Sequence, residues 1–353
     1  MKNKELPTII EIYINENNID QSELAKVVVQ HKERYIIQDQ SSTYKAEITG
    51  NIRYAAKSSA DFPAVGDWVR FTKMDNENAI ILEVFPRFSV LQRQAVAKSG
   101  ELQLIASNVD VAFIVQAVGH DYNPNRLERY LSICYSGNIT PILVLSKIDL
   151  ISAEECSELV AQIELRTKNL KIIPLSNETK QGFELLLTEL HPFKSYCFLG
   201  SSGVGKSTIT NHLLEKEVLS TQSISNSTNK GRHTTSHREL FILNNGSIVI
   251  DTPGMRELGI TDSTEGLSST FDAIEELSAA CKYNNCSHIN EKGCAVIDAV
   301  EDGSLSEDIY QNYHKLKREQ EHFSSTVYEK RKRDKDFGKM VKSVLKERNQ
   351  SKF

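Results

Sequence analysis

The stretch 195–207, SYCFLGSSGVGKS, decides the reading. A short apolar run ending at Leu199 passes into Gly200-Ser201-Ser202-Gly203-Val204-Gly205-Lys206-Ser207, a complete G-x4-G-K-S. Residues 207–217, STITNHLLEKE, then continue with helical periodicity. Strand, glycine-rich turn and helix together form the context in which this motif holds phosphate. The glycines let successive backbone N–H groups close around phosphate oxygens, and the helix that follows turns the positive end of its dipole to the anion. In that reading Lys206 reaches the outer phosphates of a nucleoside triphosphate and takes part in catalysis. Ser207 ligates magnesium, and Thr208 joins the nucleotide contacts of the loop.

Outward from the loop, strands and helices alternate. VDVAFIVQAV (109–118), TPILVLSKIDL (140–150), KIIPLS (171–176) and SIVIDTPG (247–254) read as buried strands. NPNRLERYLSICYSG (123–137) reads as a helix with Asn123 as cap and Pro124 in its first turn. Further helices are expected over roughly 152–168 and 181–190. The alternation predicts a mainly parallel sheet covered by helices.

Four more motifs sit on this frame. Ser146-Lys147-Ile148-Asp149 resembles the N/T-K-x-D motif, whose aspartate accepts hydrogen bonds from the guanine ring N–H and amine. Adenine offers no such donor pair, so the base choice follows. The Lys147 stem can pack along the base. Ser146 stands where asparagine or threonine is usual, and its short reach bears on affinity more than on base choice. Ser176 either supplies a backbone contact to the guanine carbonyl, as in S-A-x, or caps a helix, and both can hold. Asp251-Thr-Pro-Gly254 fits D-x-x-G, with Asp251 on a magnesium-bound water and the Gly254 N–H at the γ-phosphate. Between loop and D-x-x-G lies TQSISNSTNKGRHTTS (221–236), polar as a switch loop is. Thr235, with Thr234 as the alternative, would complete the magnesium shell. Met255 follows Gly254, where many GTPases carry a water-orienting glutamine. A thioether cannot orient water, so slow intrinsic hydrolysis is expected. His233 is either its catalytic replacement or a plain loop histidine.

The guanine motif precedes the phosphate loop, whereas in Ras-like proteins it comes last. The same sheet traced from another starting strand gives this order, a circular permutation. Whatever follows D-x-x-G is then joined directly to the second switch.

Residues 27–105 read differently. VVVQ, RYIIQ, TYKAEIT, DWVRF and AIILEVF are short strands separated by polar turns. Five of them with no long helix predict a small closed barrel, an OB-fold, with an SH3-like barrel as the rival. Beyond residue 265 short helical patterns surround Cys281-x4-Cys286-x-His288-x5-Cys294. Three thiolates and an imidazole at that spacing match a closed tetrahedral zinc site, which would stabilise a segment with little core of its own. Cys134, Cys156 and Cys197 lie in or beside apolar stretches and read as buried small hydrophobes. The expected domains are an extension (1–26), the barrel (27–105), the permuted α/β domain (106–264) and a zinc-binding helical domain with a basic tail (265–353).

The 353 residues are 39% apolar and 25% charged, with a formal net charge of −5. From Lys330 onward there are ten basic against three acidic residues, so the tail is about +7 and the remainder about −12. Such a tail suits an anionic partner or a solvated helix face. No apolar run is long enough to span a bilayer, and the charged N-terminus does not read as a signal peptide, so a cytoplasmic protein without a membrane partner is expected.

These motifs, with VGDWV (65–69), NVD (108–110), NPNRLERYL (123–131), GRHTTS (231–236) and DTPG (251–254), resemble the RsgA family, also known as YjeQ or YloQ. The resemblance covers nearly the whole chain. It implies an N-terminal OB-fold, a circularly permuted GTPase with GTP or GDP and magnesium, and a C-terminal domain with one zinc. It also implies the small ribosomal subunit and its rRNA as partner, a role in late maturation of that subunit, and hydrolysis stimulated by it. A barrel of this kind and a basic tail both suit RNA, and a monomer is expected. Ser146 and the extension before residue 27 depart from the family pattern.

Overall fold

The computed structural model describes residues 6–31, 34–94, 102–214, 238–251 and 264–324. Helix α1 (Thr8–Glu16) precedes a barrel built from β1 (Leu24–His31), β2 (Arg34–Gln38), β3 (Thr43–Ile48), a short α2 (Gly50–Ala55), β4 (Trp68–Lys73) and β5 (Asn78–Val84). Pairing runs β1-β2-β3-β5-β4 and closes back from β4 to β1, with β3 and β5 parallel. This is the expected five-stranded OB barrel. Alternate residues such as Val27, Ile37, Ala46, Phe71 and Ile81 point inward and fill it. Strand β1 begins at Leu24, and α1 is not a free extension. Its Ile10 and Ile14 pack with Leu24, Trp68 and Phe85 against the outside of the barrel.

A hairpin, β6 (Val90–Gln94) with β7 (Leu102–Ser107), leads into the α/β domain. That domain contains β8 (Val111–Ala117), α3 (Pro124–Ser136), β9 (Thr140–Ser146), α4 (Ala153–Arg166), β10 (Lys171–Leu175) and α5 (Phe183–Thr188). It continues with β11 (Ser195–Leu199), α6 (Lys206–Leu214), β12 (Arg238–Ile242) and β13 (Ile248–Asp251). The order is β10-β9-β8-β11-β13-β12, parallel except for β12. Leu127, Leu131 and Ile163 cover one face of the sheet, and Phe183, Leu186, Ile209 and Leu213 cover the other. Because both faces are buried, the central strands read as continuous apolar runs. Asn123 caps α3 through its side chain, and Pro124 occupies the first turn, as expected.

The barrel and sheet are one hydrogen-bonded surface, since Val29 of β1 lies opposite Glu239 of β12. The motifs VGDWV and NVD tie this junction. Asn108, in left-handed backbone (φ 54), donates from Nδ2 to the Gly66 carbonyl at 3.1 Å and accepts from the Phe88 N–H. The buried Asp67 holds Arg87 through both oxygens, at 2.7 and 2.6 Å. Asp110 accepts from the Ser195 N–H at 2.8 Å, and the buried Lys26 amine donates to the Ser195 hydroxyl at 3.2 Å.

Helices α7 (Thr264–Thr270), α8 (Asp272–Ser278), α9 (Ala295–Glu301) and α10 (Glu307–Ser324) form a separate small core around Phe271, Ile274, Val296 and Leu316. Helix α7 lies tightly on α3: a Cβ on Gly266 would stand 1.9 Å from the Ser136 hydroxyl and 2.4 Å from the Ser132 carbonyl. Helix α10 meets α3 through charge. Glu128, almost fully buried, accepts from Arg166 Nε at 2.6 Å and from Asn312, while Arg166 also holds Asp308. Arg129 grips Glu319 with both terminal nitrogens. Burial holds the Glu128 carboxyl above its ordinary value in spite of Arg166 beside it. Among the described residues no helix is long and apolar enough to cross a membrane.

Removing one member of a buried charged cluster strands the other. Glu128→Ala is therefore expected to destabilise the protein by about 3 kcal/mol or more, with Glu128→Gln milder because an amide still bonds its neighbours. A melting midpoint for Glu128→Ala within a degree of wild type would show that the cluster holds nothing.

Candidate nucleotide site and metal centre

Strand β11 lies between β8 on one side and β13 on the other, at the point where the chain's winding reverses. Ligand crevices form at the carboxyl ends of strands at such a point. The loop 200–205 opens there. Gly200 (φ +147) passes so close to β8 that a Cβ would lie 2.3 Å from the Val115 carbonyl oxygen, so no larger residue fits. The Lys206 amine donates to the Gly200 and Ser201 carbonyls at 2.8 and 2.5 Å, closing the loop into a ring. Ser202 and Gly203 are exposed, Ser201, Gly205, Ser207 and Thr208 are half-buried, and Val204 is buried.

Two contacts join the S-K-x-D segment to this loop and to β10. The buried Ser146 hydroxyl donates to the Val204 carbonyl at 2.7 Å. Lys147 turns the chain in left-handed backbone (φ 61) at the end of β9. Beyond it the exposed Asp149 accepts from the Ser176 hydroxyl at 2.5 Å. The same hydroxyl accepts from the N–H groups of Glu178 and Thr179 at 3.2 and 3.1 Å. One proton given and two lone pairs filled is the full capacity of a serine. Ser176 thus both closes its turn and fixes one carboxylate oxygen of Asp149.

Asp251 ends β13 opposite Glu239. Gly254, His233, Thr234, Thr235 and Met255 lie outside the described residues. Two neighbours of the loop had no role to read from the sequence, although Arg126 lies within NPNRLERYL. Asn177 places its amide nitrogen 3.5 Å from the Gly205 carbonyl, and Arg126 of α3 donates to the Ser201 hydroxyl at 3.3 Å. Their partners lie 28 and 75 residues away in sequence.

The second cluster brings Cys281, Cys286, His288 and Cys294 together, all four donor atoms within 4.8 Å of one another. His288 Nδ1 stands 3.6 Å from the Cys281 sulfur and 3.4 Å from the Cys294 sulfur, and the two sulfurs are 3.9 Å apart. Zinc bonds of about 2.3 Å to sulfur and 2.0–2.1 Å to nitrogen require tetrahedral edges of about 3.5–3.8 Å, so the donor set fits. Burial raises the Cys281 thiol, but the N–H groups of Ala295 and Val296 outweigh it and bring the thiol below its ordinary value. Desolvation and the neighbouring thiols push Cys286 up to about 11. Thiols that resist ionising together are reconciled by a shared divalent cation. A further residue fixes the imidazole. His288 Nε2 faces the Ser278 hydroxyl at 3.1 Å, and that hydroxyl donates to the Ile274 carbonyl at 2.7 Å. Ser278 is thereby left as acceptor, so Nε2 carries the proton and Nδ1 is free for a metal.

Comparison with known proteins agrees with this geometry. The model of the RsgA GTPase family matches residues 84–261. The chain is 38% identical over 323 residues to the small ribosomal subunit biogenesis GTPase RsgA 1 of Bacteroides thetaiotaomicron, covering 91% of this chain and 90% of that one. The chain belongs to the RsgA GTPase family. The crystal structure of YjeQ from Thermotoga maritima superposes with a TM-score of 0.62 at 24% identity, covering 86% of this chain and 99% of that one. YloQ, described as a circularly permuted GTPase, gives 0.61 at 24% identity, covering 86% and 96%. At that identity the two structures speak for the shared fold. Membership of the RsgA family makes the chain a GTP hydrolase and implies a guanine nucleotide, while the Cys3His cluster is compatible with one zinc.

The hydroxyl behind His288 gives a test of the metal centre. Purified protein is expected to carry about one zinc per chain, and Ser278→Ala to surrender it to a competing chelator about tenfold more readily. Equal retention in wild type and Ser278→Ala would remove the serine from the site, and a metal-free wild type would remove the site.

Proposed function

We propose that this chain hydrolyses GTP on the small ribosomal subunit during late maturation of that subunit, and that contact with the subunit stimulates the reaction. Its relatives are named small ribosomal subunit biogenesis GTPases. The observation that carries the nucleotide part is the pair of contacts from Ser146 to Val204 and from Ser176 to Asp149. They bind the phosphate loop and the carboxylate of the S-K-x-D segment into one frame, so that base and phosphates are read at a fixed separation.

In this reading Asp149 accepts from the guanine ring N–H and amine, Lys147 packs along the base, and Ser176 orients Asp149. The backbone N–H groups of residues 200–208 and the Lys206 amine face the phosphates. Ser207 and Thr235 would hold magnesium directly and Asp251 through water, where the ion would supply positive charge for the outer phosphates, and the Gly254 N–H would meet the terminal phosphate. His233 positions the attacking water in place of Met255. Cys281, Cys286, His288 and Cys294 hold one structural zinc. The barrel (27–105) and the basic tail meet rRNA, the permuted domain (106–264) carries the chemistry, and the zinc domain (265–353) sits against it. The protein works as a cytoplasmic monomer.

Two experiments test this. Asp149→Asn is expected to weaken GTP and relax rejection of XTP, whose ring presents a carbonyl where guanine has its amine. Titration of labelled GTP, ATP and XTP reads it, and equal wild-type affinity for ATP and GTP would sink the assignment. His233→Ala is expected to leave GTP binding nearly intact while lowering subunit-stimulated turnover far more than the basal rate, the mark of a contact made only in the transition state. Lys206→Ala should damage binding and turnover together. Stimulated turnover unchanged in His233→Ala would take the histidine out of the chemistry.

A further inference from the structure

Helix α3 carries three charged side chains in its first two turns, and two of them have partners of matching kind. Glu128 meets Arg166 and Asn312, and Arg129 meets both oxygens of Glu319. Arg126 differs. Its guanidinium donates from Nη1 to the neutral hydroxyl of Ser201, and no carboxylate pairs with it among the described residues.

The position is a poor one for an uncompensated cation. Asn123 caps α3 and Pro124 opens it, so Arg126 is the third helical residue, its own N–H taken by the Asn123 side chain at 2.9 Å. The first turn is the positive end of the helix dipole, where acidic rather than basic side chains are favoured. Half-burial also removes part of the water that would screen the charge. A guanidinium held there wants an anion, and the nearest structure built for one is the phosphate loop itself. Two cations converge on a single loop residue. Arg126 is on the Ser201 hydroxyl, and the Lys206 amine is on the Ser201 carbonyl.

We propose that Arg126 is a second cationic contact for the terminal phosphate of the bound triphosphate, supplied from within the chain. This rests on the phosphate-loop reading above. When GTP fills the loop, the guanidinium exchanges the neutral Ser201 hydroxyl for a terminal-phosphate oxygen. In hydrolysis the water oxygen bonds to the terminal phosphorus as the bond from that phosphorus to the bridging oxygen breaks. The electron pair leaves with GDP, and the water proton passes to the released phosphate. From its place at the Ser201 hydroxyl, 3.3 Å away, Arg126 would balance charge on the transferring group, as an arginine supplied in cis does. The chain has a need for it, because Met255 provides no polar group after D-x-x-G.

The competing possibility is that Arg126 merely pins Ser201, and three variants separate the two. Arg126→Gln keeps an amide donor for Ser201 and discards the charge, Arg126→Lys keeps the charge without the fork, and Arg126→Ala keeps neither. GDP binding by the wild type is measured first and tests the underlying nucleotide site by itself. Arg126→Ala and Arg126→Gln are then expected to bind GDP within about twofold of wild type. Both should lose about fivefold or more in affinity for a non-hydrolysable GTP analogue, and about tenfold or more in subunit-stimulated turnover at saturating GTP. Arg126→Lys should recover part of both. The proposal is overturned if turnover in Arg126→Ala stays within about twofold of wild type. It is equally overturned if Arg126→Gln behaves as wild type, or if GDP and the analogue are weakened alike.

Discussion

The site depends on how closely two backbones approach at Gly200. Strand β11 lies inside the sheet, so the chain leaving it has to turn within the space between its neighbours. It does so by pressing against the end of β8, where the Val115 carbonyl leaves no room for a side chain. That approach fixes more than the loop. Helix α3 starts a few residues after β8, which sets its first turn beside Ser201. Strand β9 pairs with β8 through to Ser146, which sets that hydroxyl beneath Val204. The S-K-x-D segment and the glycine-rich loop are thus positioned by strand pairing, and their side chains add only the last contact.

The permuted order gives α3 a second load. The strand ending at Asp251 belongs to the D-x-x-G segment, and the chain next described beyond it is α7, which packs on α3 at the close contact of Gly266. Helix α10 meets the same helix through Glu128 and Arg129, and meets the end of α4 through Arg166. The apolar core of the C-terminal helical domain is distinct from those of the sheet. What crosses between them is therefore mainly a small-residue contact and a set of oriented ion pairs. Ion pairs of this kind specify one orientation more than they add stability. Helix α3 consequently touches the phosphate loop at one end and carries the C-terminal domain along its length.

Much of this was legible in the sequence, for a physical reason. A glycine-rich loop, an S-K-x-D segment and a Cys3His cluster are local in sequence, because backbone turns and ligand spacing impose their geometry over a few residues. The apolar strands β8, β9 and β11 were equally plain, since burial on both faces removes most polar positions. Strand β12 escaped notice. RELFI is short and half polar, and it is a strand only because β13 on one side and β1 on the other supply its partners. Helix α1 looked like a mere extension because its apolar face is covered by Trp68 and Phe85, far along the chain. The contacts made by Arg126 and Ser278 were hidden for the same cause. Nothing near Arg126 in sequence announces Ser201, and Ser278 reaches His288 across a turn whose shape the zinc-site spacing does not dictate.

The serine at position 146 shows how such a local departure is absorbed. A one-carbon hydroxyl reaches less far than the carboxamide usual in this motif, which read in isolation looks like a loss of nucleotide affinity. The residue is fully buried, so its donor faces the loop and not water. Its acceptor is the Val204 carbonyl, brought to 2.7 Å by the approach of the loop to the ends of β8 and β9. A buried carbonyl left without a donor would cost about 1–3 kcal/mol. What the fold demands at this position is therefore a donor within reach of one carbonyl. Where two backbones already lie so close, serine meets that demand, and the reach of a longer side chain is not needed.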